Sequence, residues 1–440
     1  MGSMSTFQLL VIGAFIILAI VGVGAFAVFG GALGGSGVGP VVVWGTRSQD
    51  EMTTLIESLR SQNKAFEQVT YVEKDPSTYT KELVSAMAAG TGPDLFLIDQ
   101  ENLGAFVDKV GIIPYGAISQ GTFANSYIDE GQVFLSPQGA YALPFLIDPM
   151  VMYWNRDLFA QAGLGQPPTL WSDFTKADGI PTKISAIDTS QNVKRSAVAM
   201  GAWDNVANAK AILSTLFMQS GDPIVGRDSS TGNLISVFGR TPSAAAENPA
   251  SSALRFYTEF ADPGKSTYSW NRALPLSTNA FVAGDVGVYF GFASEYQSLL
   301  QRNPNLHFGV DVVPQLQNAP QMTYGLLTGV AISRTAHNVN GALVIAEALT
   351  AQTASAVEAR TTGLPPARRD VQVDTSGNAA AATFVRSALI ARGWLDPDPA
   401  STNSIFKGMI NSVVSGASTP DAAVSDASQE MSQLFTPNAQ

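Results

Sequence analysis

Tyr141-Ala142-Leu143-Pro144-Phe145-Leu146-Ile147-Asp148-Pro149-Met150-Val151-Met152-Tyr153-Trp154-Asn155-Arg156-Asp157-Leu158-Phe159 is an apolar run that two prolines stiffen and one acid, Asp148, interrupts. Proline fixes its own φ and removes a backbone donor. The run therefore reads as extended chain, followed by a helix start at Asn155-Arg156-Asp157. Such a stretch is what a chain needs to pass from one lobe to another. Upstream lie the pieces of a first lobe. Val41-Val42-Val43-Trp44 is a short β-branched strand ended by Gly45. Residues 50–66 read as a helix, with Leu55, Ile56, Leu59 and Phe66 on one face and Asp50 and Glu51 in its first turn, where acids suit the helix dipole. A strand at 69–72, a helix at 79–89 and a strand at 94–99 complete a βαβαβ series, which predicts a parallel sheet. Ligands bind such sheets at the carboxyl ends of the strands. Here those ends are Thr46-Arg47-Ser48-Gln49 and Asp99-Gln100-Glu101-Asn102.

Downstream, residues 185–268 read as mostly helical, with a polar interruption at 226–248. Further strands are expected at 286–291, 307–313 and 325–333, and helices from 338 to 435. A chain of 440 residues is too long for one compact core. With 45% hydrophobic and 14% charged residues it is not disordered. A net charge of −11 with no basic run argues against nucleic acid. The absence of cysteine removes disulfides, thiol nucleophiles and a lipid-modified cysteine, and two histidines leave little for a metal site. No cofactor is expected.

Residues 7–29 form an uncharged run of 23 residues whose one polar member is Gln8. As a helix it is about 35 Å long, enough to cross a hydrocarbon core of about 30 Å. It reads as a transmembrane signal-anchor after a short tail at 1–6. The alternative is a cleaved signal peptide, with Ala25-Phe26-Ala27 as its cleavage site. Residues 30–40, with six glycines, read as a flexible linker. The soluble part then lies outside the cytoplasm, held at the cell membrane by a single pass.

The order of these pieces resembles a known family. The block 141–159, then Ala162-Gly163-Leu164 and Pro167-Pro168-Thr169-Leu170-Trp171-Ser172-Asp173-Phe174, is similar to the hinge-and-helix signature of the extracellular solute-binding proteins of ABC importers, in the sugar-binding group that includes maltose-binding protein. Phe281 to Gly291, Tyr324 to Ser333 and Gly363-Leu364-Pro365-Pro366-Ala367-Arg368 match in the same order. The resemblance implies an α/β, two-lobed periplasmic-binding-protein-like clamp of type II. Lobe 1 would be 40–145 plus 326–372, and lobe 2 would be 146–324 plus 373–440. It implies a monomer that captures a small ligand, a carbohydrate above all, and hands it to ABC permease subunits. A ligand sensor or surface-binding module without an importer is the alternative, and a glycoside hydrolase using Glu101 and Asp148 a further one.

The family's ligand positions fall on Thr46, Ser48 and Gln49, which could equally cap the helix behind them. They fall also on Gln100 and Glu101, and on Asp148 at the hinge. Trp203 is either a stacking ring or a core residue at a helix end. Phe292 and Ser294 stand where many members carry a tryptophan platform, a departure that puts a maltodextrin in doubt. Arg368 could grip an anionic group, or sit in a rim ion pair.

Overall fold

The computed structural model describes residues 38–240 and 247–435. The apolar stretch 7–29 lies outside them. Among the described residues, no helix is long and apolar enough to cross a membrane.

Strand β1 (Val41–Gly45) runs parallel to β2 (Val69–Glu73) and β3 (Leu95–Asp99), and Val43 pairs with both Tyr71 and Leu95. Helix α1 (Gln49–Arg60) buries Met52, Leu55, Ile56 and Leu59, the one-face spacing that a helix requires. Helix α2 (Tyr79–Ala88) closes the second crossover. The expected parallel unit is therefore present, but the sheet that continues from it is mixed.

The continuation comes from two long strands, β4 (Leu143–Asn155) and, after β5 (Val193–Val198), β6 (Val286–Phe292) and β7 (Phe308–Asp311), strand β8 (Thr323–Ser333). The order is β2-β1-β3-β8-β4-β6-β5. Strand β4 changes partner midway. Leu143 to Pro149 pair antiparallel with β8, whereas Met150 to Trp154 pair with β6. The switch falls at Pro149-Met150, inside the run that sequence alone marks as a crossing.

One stretch departs from expectation. Residues 193–198 are a strand, paired in parallel with β6 through Ser196–Val286 and Val198–Val288. Exposed Lys194 and half-buried Arg195 break the apolar pattern of its first half. Arg195 is nonetheless placed, because its Nε donates to the Ile184 carbonyl at 2.8 Å. The strand is set by a partner some ninety residues later, which local pattern does not see. At the start of the polar interruption behind it, Val225–Arg227 and Leu234–Ser236 form a hairpin.

Two close approaches fix the middle of the molecule. A Cβ at Gly325 would lie 2.2 Å from Glu130 Oε2, and one at Gly104 would lie 2.0 Å from the Asp396 carbonyl oxygen. Only glycine lets these segments touch. Further along, Asp129 accepts from Arg369 at 2.5 Å and from Arg392 at 2.8 Å. The irregular segment 371–378 runs between those two arginines.

Candidate functional site

A cleft of about 440 Å³ opens beside the ends of β6 and β8, with Glu101, Trp203, Asn208, Lys210, Phe292 and Leu326 in its wall. Glu101, Lys210, Asn208 and Phe292 are each held by identifiable hydrogen bonds. Helix α3 (Gln100–Leu103) begins directly at the carboxyl end of β3, where the Asp99 side chain accepts the Asn102 amide at 2.8 Å. Burial and the nearby Glu101 charge both push the Asp99 carboxyl up. This cap aims Glu101 from the first turn of α3 into the cleft, where its Oε1 accepts the Tyr324 hydroxyl at 2.6 Å.

Lys210 stands in the first turn of α4 (Ala209–Gln219), a helix of otherwise apolar or uncharged residues that is nearly all buried. Its Nζ donates to Asp396 Oδ2 at 2.5 Å and to Thr402 Oγ1 at 3.2 Å. The Trp394 ring lies beneath it at 5.1 Å. Asp396 is fully buried, so this is a desolvated ion pair whose geometry its neighbours hold.

The other wall is organised by Glu295, at the start of α5 (Glu295–Arg302). Its carboxylate accepts the Phe292 amide at 2.8 Å, the Tyr289 hydroxyl at 2.5 Å and the Asn208 side chain at 3.0 Å. The last contact holds Asn208 in a left-handed conformation, φ 61°, just before α4. Tyr153 donates its hydroxyl to the Phe292 carbonyl at 2.7 Å, so it is a core residue, as its apolar neighbours predict. Aromatic faces at Trp203 and Phe292 next to fixed polar groups at Glu101, Lys210 and Asn208 suit a ligand with both ring faces and hydroxyls.

Of the residues that sequence selects, Glu101, Trp203 and Phe292 line this cleft together. Asp148 and Ser294 meet at the strand crossing, where the Ser294 amide donates to Asp148 Oδ1 at 3.0 Å. Burial pushes the Asp148 carboxyl up to about 6, against the pull of that bond and of Arg47. Thr46 and Ser48 are exposed just past β1, and Ser48 makes no side-chain cap bond to α1.

Three more of the selected positions lie outside the wall of this cleft. Gln100 is fully buried, and its side chain bonds the Gly325 carbonyl and the Leu327 amide, both at 2.6 Å. Its amide joins α3 to β8, and full burial keeps it out of the cleft. Gln49 turns its amide to β2, bonding the Tyr71 carbonyl at 3.3 Å and the Glu73 amide at 3.2 Å. Arg368 grips Asp370 through two bonds of 2.8 and 2.7 Å and the Thr350 carbonyl at 2.9 Å, over the Tyr127 ring. Its charge is thus held in an ion pair with Asp370. Sequence reasoning missed Lys210 and Asn208, and also Asn403, which lines the same cleft. A lone lysine in an apolar helix was the available signal for the first, since a buried charge requires a partner.

Comparison with known proteins adds the following. A family model described as bacterial extracellular solute-binding protein matches residues 54–384. Curated binding proteins of Brucella abortus (strain 2308) and Brucella suis biovar 1 (strain 1330) are each 24% identical over 372 residues, covering 81% of this chain and 82% of the relative. Among solved structures, the chain is similar to the cyclic α-maltosyl-1,6-maltose binding protein of Arthrobacter globiformis, at 17% identity and a TM-score of 0.73, over 90% of this chain and 99% of that one. It is also similar to an ABC transporter solute-binding protein of Thermotoga lettingae bound with α-D-tagatose, at 17% identity and a TM-score of 0.66, over 90% and 100%. At these identities the structural likeness concerns the fold.

Proposed function

The chain belongs to the bacterial extracellular solute-binding proteins, and from that membership we propose that it captures a carbohydrate in the cleft beside Glu101, Trp203 and Phe292 and delivers it to the permease of an ABC importer. One observation carries this reading. Two aromatic side chains and a set of fixed polar groups share a single cavity of about 440 Å³. Ring faces stack on sugar rings, and charged groups take their hydroxyls. That structural neighbours bind a cyclic maltosyl-maltose and tagatose supports the same class.

In this reading, residues 40–145 with 326–372 and residues 146–324 with 373–440 are two lobes that close on the ligand about the β4 and β8 crossings. Asp148 and Ser294 stand at the pivot, with Thr46 and Ser48 on the lip. Residues 7–29 tether the monomer to the outer side of the cell membrane through the linker 30–40. Such a tether keeps the binder near its permease at high effective concentration. The role is capture and release without turnover.

A thermal-shift screen of residues 40–440 against sugars and oligopeptides tests the reading, because a ligand that binds only the folded state raises the melting temperature. A rise with a sugar is expected. A rise with oligopeptides alone would replace the carbohydrate by a peptide.

A further inference from the structure

The cleft contains a donor and an acceptor that face each other without bonding. Glu101 Oε1 and Lys210 Nζ lie 4.0 Å apart, beyond hydrogen-bond reach. Each is held from behind. Tyr324, 1% exposed, donates to the carboxylate at 2.6 Å. Asp396, fully buried, holds the ammonium at 2.5 Å, and Thr402 assists at 3.2 Å. Thr402 in turn donates its hydroxyl to Asp396 at 2.7 Å, so the anchoring set is closed on itself. Each charge thus has partners of its own, and the two stand 4.0 Å apart across the cleft.

A neutral oxygen that both donates and accepts satisfies both sides of that gap. A hydroxyl oxygen donates to Glu101 and accepts from Lys210, at about 2.8 Å from each. A ligand ammonium placed there would face Lys210. A ligand carboxylate would face Glu101, with Asp396 behind the lysine. We propose that Lys210 is a ligand-contacting residue, and that the Glu101–Lys210 gap selects a neutral ligand through one hydroxyl and rejects acidic sugars. The proposal rests on the carbohydrate reading above and adds to it a specificity residue and a charge rule.

The test uses the full chain in detergent and calorimetric titration with maltotriose, trehalose, D-tagatose, D-glucose and D-glucuronate. At least one neutral sugar is expected to bind the wild type, and glucuronate is not. Glu101→Gln keeps an acceptor for Tyr324. It should weaken the neutral sugar about tenfold and bring glucuronate into measurable range, because the acid then meets Lys210 alone. Lys210→Met combined with Asp396→Leu leaves no buried charge unpaired, and should weaken the neutral sugar about tenfold, with a cooperative melt as proof of folding. A merely structural role for these residues would not move the ratio of neutral to acidic sugar. If neutral-sugar affinity is unchanged in both variants, or if Glu101→Gln excludes glucuronate as firmly as the wild type, the proposal is overturned while the carbohydrate reading stands. If the wild type binds none of the five, both fall.

Discussion

Tyr324 and Gly325 are neighbours on one strand and face opposite ways, and each meets a glutamate. On the cleft side, Tyr324 gives its hydroxyl to Glu101, which keeps part of its surface in solvent and a cation 4.0 Å away. On the other side, the missing side chain of Gly325 makes room for Glu130, which is 2% exposed and has no hydrogen-bond partner at either oxygen. Burial pushes the Glu130 carboxyl up to about 8, while Arg392, which bonds Asp129, pulls it the other way. The same side chain thus lines a cleft beside a cation in one place and fills a buried space without a partner in the other. What stands beside an acid decides its role more than the acid itself does.

Four measurements break or sharpen this contrast. The largest effect is expected from Gly325→Ala, whose new methyl would collide with Glu130 and with Ile147 at 2.8 Å. A loss of about 3 kcal/mol in urea unfolding is expected, with partial recovery when Glu130→Ala is added. Next comes pH. Between its ordinary value of 4.5 and about 8, folded Glu130 keeps a proton that the unfolded chain has lost, so stability falls as pH rises through that window. Glu130→Gln should melt like the wild type at pH 4 and be more stable by on the order of 2 kcal/mol at pH 9. An identical pH profile for the two would remove Glu130 from the account. On the cleft side, Glu101→Ala should weaken ligand binding by about 1–2 kcal/mol in titration calorimetry, because the Tyr324 hydroxyl loses its acceptor and the ligand loses a charged one. The smallest effect is at Asp148. Its raised carboxyl, about 6 against an ordinary 3.8, lowers stability as pH climbs between those values. Asp148→Asn should flatten that slope by about 1 kcal/mol while keeping an oxygen for the Ser294 amide.

The parts legible in the chain are those with local causes. The βαβαβ series followed from β-branched runs, the one-face spacing of Leu55, Ile56 and Leu59, and the punctuation by Gly45 and Gly90. The crossing followed from prolines inside an apolar run. Strand β5 was hidden because Lys194 and Arg195 blur its pattern and its partner is remote. In the site, Glu101, Trp203 and Phe292 were reached through their places in the family's order. Lys210 was not, because its position makes sense only with Asp396, 186 residues further on. Gln100 and Gln49 show the mirror case, since remote partners take their amides away from the cleft wall. Both sit in the right loops, yet their amides are taken by strands β8 and β2.

Asp129, with Arg369 on one oxygen and Arg392 on the other, has a practical meaning for anyone cutting this protein. The irregular segment 371–378 follows Arg369 and leads through the helix Ala379–Leu389 to Arg392, so Asp129 holds the chain on both sides of it. A protease nick there would sever the covalent chain and leave the fragments clasped together, so a gel run in denaturant would report two pieces while a sizing column still reports one body.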